Sequence, residues 1–240
     1  MLNRLVPLAL ACIACAQLPA QEPAQSSAQP GAAAAARPGE RSGKRVPLFF
    51  REAWKTVKGE QNLTSDMVSS PNLELKTYGP AAAQLQALGN ADDPSNPPHI
   101  WTGLCATSCA LTLSNKDNFV DLTGKAKIRW YTKTSGFHEV RPVLKLADGT
   151  LLVGDHVDAN TADYLESEFY VSQVHWLKLD APTVQTKGTL LDKVDLSKVD
   201  AIGFADLTPG SGHGTGGYSD VAWIEVYGKP VKRDTPSQSN

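Results

Sequence analysis

Lys125-Ala126-Lys127-Ile128-Arg129-Trp130-Tyr131-Thr132-Lys133 alternates with a period of two. Ala126, Ile128, Trp130 and Thr132 fall on one face of an extended chain, and Lys125, Lys127, Arg129, Tyr131 and Lys133 on the other. Successive side chains of a strand point to opposite faces, so this stretch predicts a strand with one buried and one wet face. The same period runs through Leu73-Glu74-Leu75-Lys76 and through 140–146, where Val140, Pro142, Leu144 and Leu146 share a face. Pro142 has no amide donor, which predicts an edge strand or a bulge. Ala147-Asp148-Gly149-Thr150 predicts a hairpin turn with Asp-Gly at its centre. Further strands are expected at 169–171, 174–179, 201–205 and 221–227. Only 80–88 reads as a short helix. Many short strands separated by Gly, Asp and Pro turns imply an all-β domain, a two-sheet antiparallel β-sandwich of jelly-roll type.

The 240 residues carry a formal charge of −2 and are 41% apolar, enough for a core. Such a balance offers no basic footprint for nucleic acid and no polybasic membrane patch. At the start, Arg4 precedes an apolar run over 5–18, broken only by Gln17, and Ala14-Cys15-Ala16 reads as a small-residue cleavage site. Residues 1–16 are therefore expected to be a signal peptide, which makes the protein secreted or periplasmic. A lipid anchor on Cys12 or Cys15 is the competing reading, although Ala9-Leu10-Ala11 lacks the leucine usual three positions ahead of such a cysteine. The run is too short to span a bilayer, which takes about 20 residues. Residues 17–45, rich in Ala, Pro and Gln, are expected to form a disordered linker, and 232–240 a flexible tail. The sandwich then occupies 46–231. Cleavage leaves Cys105 and Cys109, which are expected to form a disulfide across a tight hairpin loop joining 100–104 to 110–113.

Three segments together resemble the galactose-binding-like β-sandwiches, a group that includes many carbohydrate-binding modules and the complex I intermediate-associated protein family. They are Val120-Asp121-Leu122-Thr123-Gly124 before the strand at 128–131, Trp176-Leu177-Lys178-Leu179, and 194–204 with its Asp195-Leu196-Ser197 turn, answered by a closing strand at 221–227. The resemblance implies a closing strand that returns beside the first. It does not carry over the family's calcium site, because Ala222-Trp223-Ile224-Glu225 lacks the aspartate often found there. A structural calcium with unassigned ligands stays open, and no other cofactor is expected. Pro47-Leu48-Phe49-Phe50 with Trp54 is similar instead to the concanavalin-like keto-disaccharide hydrolase domains, a second kind of β-sandwich. That resemblance would imply a glycoside-active enzyme; the intermediate-associated family would imply a structural or assembly protein.

No catalytic signature stands out. Gly212-His213-Gly214-Thr215-Gly216-Gly217 spells G-x-G-x-x-G but precedes a strand, whereas a dinucleotide loop opens a helix. It reads as a glycine loop, with His213 at its tip a candidate ligand contact. Asp155-His156-Val157-Asp158 fits no zinc or EF-hand spacing. Cys105 and Cys109 with His99 lack a fourth zinc ligand. Glu166 and Glu168 would be neighbours on one strand face, but the spaced acidic signature E-x-D-x-x-E and a Gly-x-Ser-x-Gly elbow are absent.

The aromatic residues carry more. If Ala222, Ile224 and Val226 face the core, Trp223, Glu225 and Tyr227 face outward. If Leu177 and Leu179 face the core, Trp176 and Lys178 face outward. Tyr131 and Arg129 already do. Tyr131, Trp176, Trp223, Arg129 and Glu225, with Arg141 nearby and His213 from the glycine loop, are thus expected to form a binding surface for a carbohydrate or another small polar ligand. The bland alternative is that a segment such as 49–54 covers these rings as a second core. The sequence therefore points to a non-catalytic exported binding module, with the hydrolase and the structural protein as alternatives.

Overall fold

The computed structural model describes residues 45–208 and 216–233. The expected signal segment and lipidation sites, the linker up to residue 44, His213 and residues 234–240 of the expected tail lie outside the described residues.

In chain order the strands are β1 (Leu48–Glu52), β2 (Gln61–Asn62), β3 (Leu73–Tyr78), β4 (Gln86–Leu88), β5 (His99–Trp101) and β6 (Cys109–Asn115). Next come β7 (Asn118–Asp121), β8 (Lys127–Ser135), β9 (Glu139–Leu146), β10 (Leu151–Gly154), β11 (Asp158–Ala159) and β12 (Leu165–Tyr170). The last are β13 (Trp176–Asp180), β14 (Gln185–Lys187), β15 (Val199–Leu207), β16 (Tyr218–Tyr227) and β17 (Lys229–Lys232). The helix expected at 80–88 is a single 3-10 turn, Ala82–Gln84, followed by β4. One sheet runs β12-β8-β16-β5-β4-β2, with β1 also paired to β16. The other runs β14-β13-β10-β9-β15-β6-β3, with β11 on β9, β7 on β15 and β17 on β7. Two antiparallel sheets of this kind make a β-sandwich, and the closing strand β16 lies beside β8 as expected.

The deciding stretch behaves as its period requires: β8 alternates half-exposed and buried residues along its whole length. Ile128 and Trp130 from β8, with Ile224 and Val226 from β16, pack in one core with Leu111, Leu113, Leu144, Leu152, Ile202 and Phe204 of the other sheet. Each such side chain contributes about 1.5–3 kcal/mol by leaving water. The Asp148-Gly149 hairpin forms as expected, with Gly149 at φ 89° and its amide donating to the Leu146 carbonyl.

Four expectations need correction. Pro142 is not on an edge strand, since β9 lies between β10 and β15. It falls instead between the part of β9 paired to β10 (Val143 to Lys145) and the part paired to β11 (Glu139, Val140), where that flank of the ladder is interrupted. Trp176 is not an outward ring: it is 3% exposed and belongs to the inter-sheet core, while Leu177 is the more open neighbour. Trp176 does lie on the opposite side of β13 from Leu177 and Leu179, but the Trp176 side is the one that faces the inter-sheet core. A second apolar cluster of Tyr78, Val143, Leu151, Val153, Leu179, Val184 and Leu207 packs on the opposite side of this sheet, and Leu177 joins it. Arg141 is likewise buried on this sheet, its Nε donating to the Gly154 carbonyl, rather than beside the other rings. The Cys105–Cys109 disulfide is present, with Cα atoms 6.4 Å apart, but β5 and β6 belong to different sheets, so the bond closes a crossing loop and not a hairpin.

Strand β16 holds one irregularity against β8. Val221 pairs with Thr132 and Trp223 with Tyr131, so Ala222 is an extra residue. Two residues opposite one define a β-bulge. The bulge resets the alternation, and Tyr218, Asp220, Trp223, Glu225 and Tyr227 all pair with the outward residues of β8.

Candidate functional site

The outer face of the β8–β16 sheet gathers the chemistry. Across from Tyr131 and Arg129 of β8 lie Trp223 and Glu225 of β16 on one side and Glu166 and Glu168 of β12 on the other. β1 brings Arg51 opposite Glu225, and β5 brings Trp101 opposite Asp220.

Three rings form a row across the strands. Tyr131 stacks between Tyr164, 4.9 Å away at 24°, and Trp223, 5.9 Å away at 16°. A cation caps each end: the Arg51 guanidinium is 4.6 Å from the Trp223 ring and the Lys133 amine 5.7 Å from the Tyr164 ring. Ring pairs of this kind add about 0.5–1.5 kcal/mol and exposed cation–ring contacts about 0.5–1 kcal/mol beyond burial. The three rings are half-buried, so the stack fixes their positions while their rims stay open to solvent. Trp101 and Tyr218 continue the aromatic surface, edge to face at 6.5 Å.

Under the rings lies a charge network. Glu225 accepts hydrogen bonds from Arg51, from Arg129 at 3.0 Å and from the Tyr227 hydroxyl at 2.8 Å. Burial pushes the Glu225 carboxyl up, but the Tyr227 and Arg51 hydrogen bonds and the two guanidinium charges outweigh it and hold the group below its ordinary value. Arg129 also donates to Glu166, which raises the guanidinium further. Lys127 pairs with Glu168 at 2.8 Å. Arg51, Lys127 and Arg129 are thus paired with Glu166, Glu168 and Glu225, while Lys133 stands opposite Asp220, whose carboxyl burial pushes up to about 7.

Of the expected site residues, Tyr131, Trp223, Arg129 and Glu225 come together here. Trp176 lies in the core of the sandwich, and His213 is outside the described residues. Sequence reasoning missed Tyr164, Arg51, Trp101, Tyr218 and Lys133 as parts of one surface. Arg51 was findable, since Phe50-Arg51-Glu52 alternates; Tyr164 precedes β12 in a loop and has no period to betray it. The segment 49–54 does not roof the rings: Arg51 reaches Trp223, while Trp54 turns inward and its indole N–H donates to the Val221 carbonyl at 2.9 Å.

The other candidates resolve into structural roles. Asp155 pairs with His175 at 2.8 Å, while Asp158 points inward and accepts from Thr132 at 3.2 Å and from Trp130. No group of three His, Cys, Asp or Glu side chains is placed to hold a metal among the described residues. Glu166 and Glu168 are engaged by Arg129 and Lys127, not arranged as a free acid–base pair. No helix among the described residues is long and apolar enough to cross a membrane.

No protein-family model matches the chain, and no curated protein matches it by sequence. Solved structures are matched at low similarity. A family 11 carbohydrate-binding module from Clostridium thermocellum, in complex with a β-1,3-1,4-mixed-linked tetrasaccharide, is 16% identical, with a TM-score of 0.42 over 74% of this chain and 100% of the module. The family 11 module of a cellulosomal cellulase from the same organism gives 16% identity and a TM-score of 0.41 over 75% of this chain and all of the module (100%). An exo-β-agarase gives 7% identity and a TM-score of 0.36, over 74% of this chain but 26% of the agarase. These likenesses assign no ligand and no residue role here.

Proposed function

We propose that this protein is a non-catalytic, exported carbohydrate-binding domain that uses the outer face of the β8–β16 sheet. The observation that carries the reading is the solvent-facing row Trp223–Tyr131–Tyr164, held rigid by mutual stacking and flanked by Arg51, Arg129 and Lys133. Sugars present apolar C–H patches ringed by hydroxyls. Half-open aromatic rims accept the first, and guanidinium, phenol and carboxylate groups bond the second. Because the rings are already immobilised, binding costs little side-chain ordering. Because Arg51, Lys127 and Arg129 are already paired with carboxylates of the same face, a neutral glycan suits it better than a polyanion. Export is supported by the signal-like residues 1–16 and by the Cys105–Cys109 disulfide, a bond typical of oxidising compartments.

A glycan array followed by affinity electrophoresis in neutral soluble polysaccharides tests the reading. Trp223→Ala and Tyr131→Ala should each weaken retention at least about tenfold, in keeping with aromatic anchors of binding surfaces, while melting stays cooperative. Salt should have little effect on a neutral ligand. Unchanged retention in both variants would remove the proposed face from consideration.

A further inference from the structure

Beside the Tyr164 end of the ring row, His99 of β5 and Asp220 of β16 face each other almost out of water, 4% and 5% exposed. His99 Nδ1 lies 2.7 Å from the Pro97 carbonyl oxygen, which can only accept, so Nδ1 carries the proton of the neutral ring. Nε2 then turns a lone pair toward Asp220 Oδ1, 3.6 Å away. That distance is too long for a hydrogen bond. It matches the separation of two ligands on one tetrahedral ion, about 3.4 Å for metal–ligand bonds of about 2.1 Å. The other His–Asp contacts among the described residues differ. His138 Nδ1 lies 2.9 Å from Asp206 and His175 Nδ1 2.8 Å from Asp155, each a direct hydrogen bond. His156 Nε2 lies 3.3 Å from Asp158, whose Oδ2 already accepts from Trp130 and Thr132. In each of these the nitrogen facing the acid can carry the ring proton; at His99 it cannot. Two further observations point the same way. Asp220 Oδ1 and Gln86 Oε1 are both buried acceptors with no hydrogen-bond partner. Gln86 of β4 is in register with Trp101 of β5, and Trp101 with Asp220, so the three share one row of the outer face. The Trp101 ring is drawn along the sheet to Gly103 and Tyr218 rather than over that row.

We propose that His99 Nε2 and Asp220 Oδ1 are the two protein anchors of a divalent transition-metal site of the zinc type, with Gln86 Oε1 placed as a third donor and water completing the shell. Imidazole combined with carboxylate and amide oxygens suits zinc-like ions, whereas calcium takes oxygen ligands alone. The Pro97 carbonyl does what outer-shell acceptors do for metal-bound imidazoles: it fixes the tautomer and aims the ring. The Tyr164 hydroxyl sits beside the Asp220 carboxyl, where donation favours the ionised, ligating form. In the metal-free protein burial pushes that carboxyl up to about 7, and the ion takes the place of its proton. Lys133 of β8, opposite Asp220 in register, opposes a further cation, but its amine is turned to the Tyr164 and Tyr218 rings, 5.7 and 6.0 Å away. Asp206 of β15 adds negative charge that favours one. Bound there, the ion ties β5 to β16, whose ladder is two register pairs long, and so fixes one corner of the ring-bearing face.

The test uses the full chain, stripped with EDTA and titrated with zinc chloride. One zinc ion should bind per chain and raise the melting temperature. His99→Gln and Asp220→Asn should each weaken the calorimetric affinity at least about tenfold, and Gln86→Ala by less. Nitrogen NMR of the histidine rings gives a second readout: zinc should move the His99 Nε2 signal and leave Nδ1 protonated. Equal affinity in wild type and both variants overturns the proposal. So does zinc that moves the ring signals of His156 or His175 while those of His99 stand still, or His99 signals that ignore zinc altogether. The wild-type ring signals decide even where a variant fails to fold, and neither readout depends on whether the protein binds sugars.

Discussion

Trp176 and Trp223 are the same residue type on strands of similar composition, yet they should respond oppositely to truncation. Trp176→Ala opens a cavity in the inter-sheet core and should cost about 3–5 kcal/mol, enough to lower the melting temperature sharply. Trp223→Ala removes a half-exposed ring and should spare cooperative melting while weakening ligand retention. Paired thermal melts and binding curves check both, and similar melting losses would mean that Trp223 is a core residue. Alternation alone could not separate the two. It says which residues of a strand share a side, and on β16 only one side is apolar. On β13 both sides are, because Leu177 and Leu179 pack outside the sheet against Val153 and Val184. Glu225 makes a different prediction. Its carboxyl is held below the ordinary value in the fold, so its stabilising contribution is complete above the unfolded value near pH 4.5 and is lost as pH falls through the folded one. Glu225→Gln should therefore show a shallower acid limb in a plot of melting temperature against pH.

Among the elements, β8 and the β9–β10 hairpin were legible because each is specified locally, one by strict alternation and one by Asp148-Gly149. The partnership of β5 with β16, and of β6 with β15, was not legible, since nothing in 99–115 marks a change of sheet. That difference alters what the disulfide does. Cys105 and Cys109 are both buried, and their bond braces the segment that carries the chain from one sheet to the other. Only four positions separate them, so the loop-closure contribution is about 2 kcal/mol in the chain-entropy account. Cys105→Ser with Cys109→Ser should lower the melting temperature by several degrees and leave a single cooperative transition. Loss of folding altogether would show that the crossing depends on the bond.

For the molecule as a whole, two ionisations pull in opposite directions. Asp220, pushed up to about 7 by burial, keeps its proton in the fold at pH values where the unfolded chain has lost it, so stability falls as pH climbs from about 4 to about 7 and then levels off. Glu225 contributes the opposite slope at acid pH. Asp220→Asn should raise the melting temperature more at pH 8 than at pH 5; an equal change at both would show that Asp220 titrates normally. The sandwich itself was readable from period and turns, whereas the proposed binding face required the third dimension: residues from five separate segments meet there, and one of its strands changes parity midway. That change has a cost in robustness. The face is assembled from two runs, 218–220 and 223–227, kept in phase by Ala222. Its composition could drift considerably without harm, but its length could not. Deleting a single residue there would turn one run into the core, carrying either Asp220 or Trp223 out of reach of any partner, so the weak point of this surface is a matter of counting and not of side-chain chemistry.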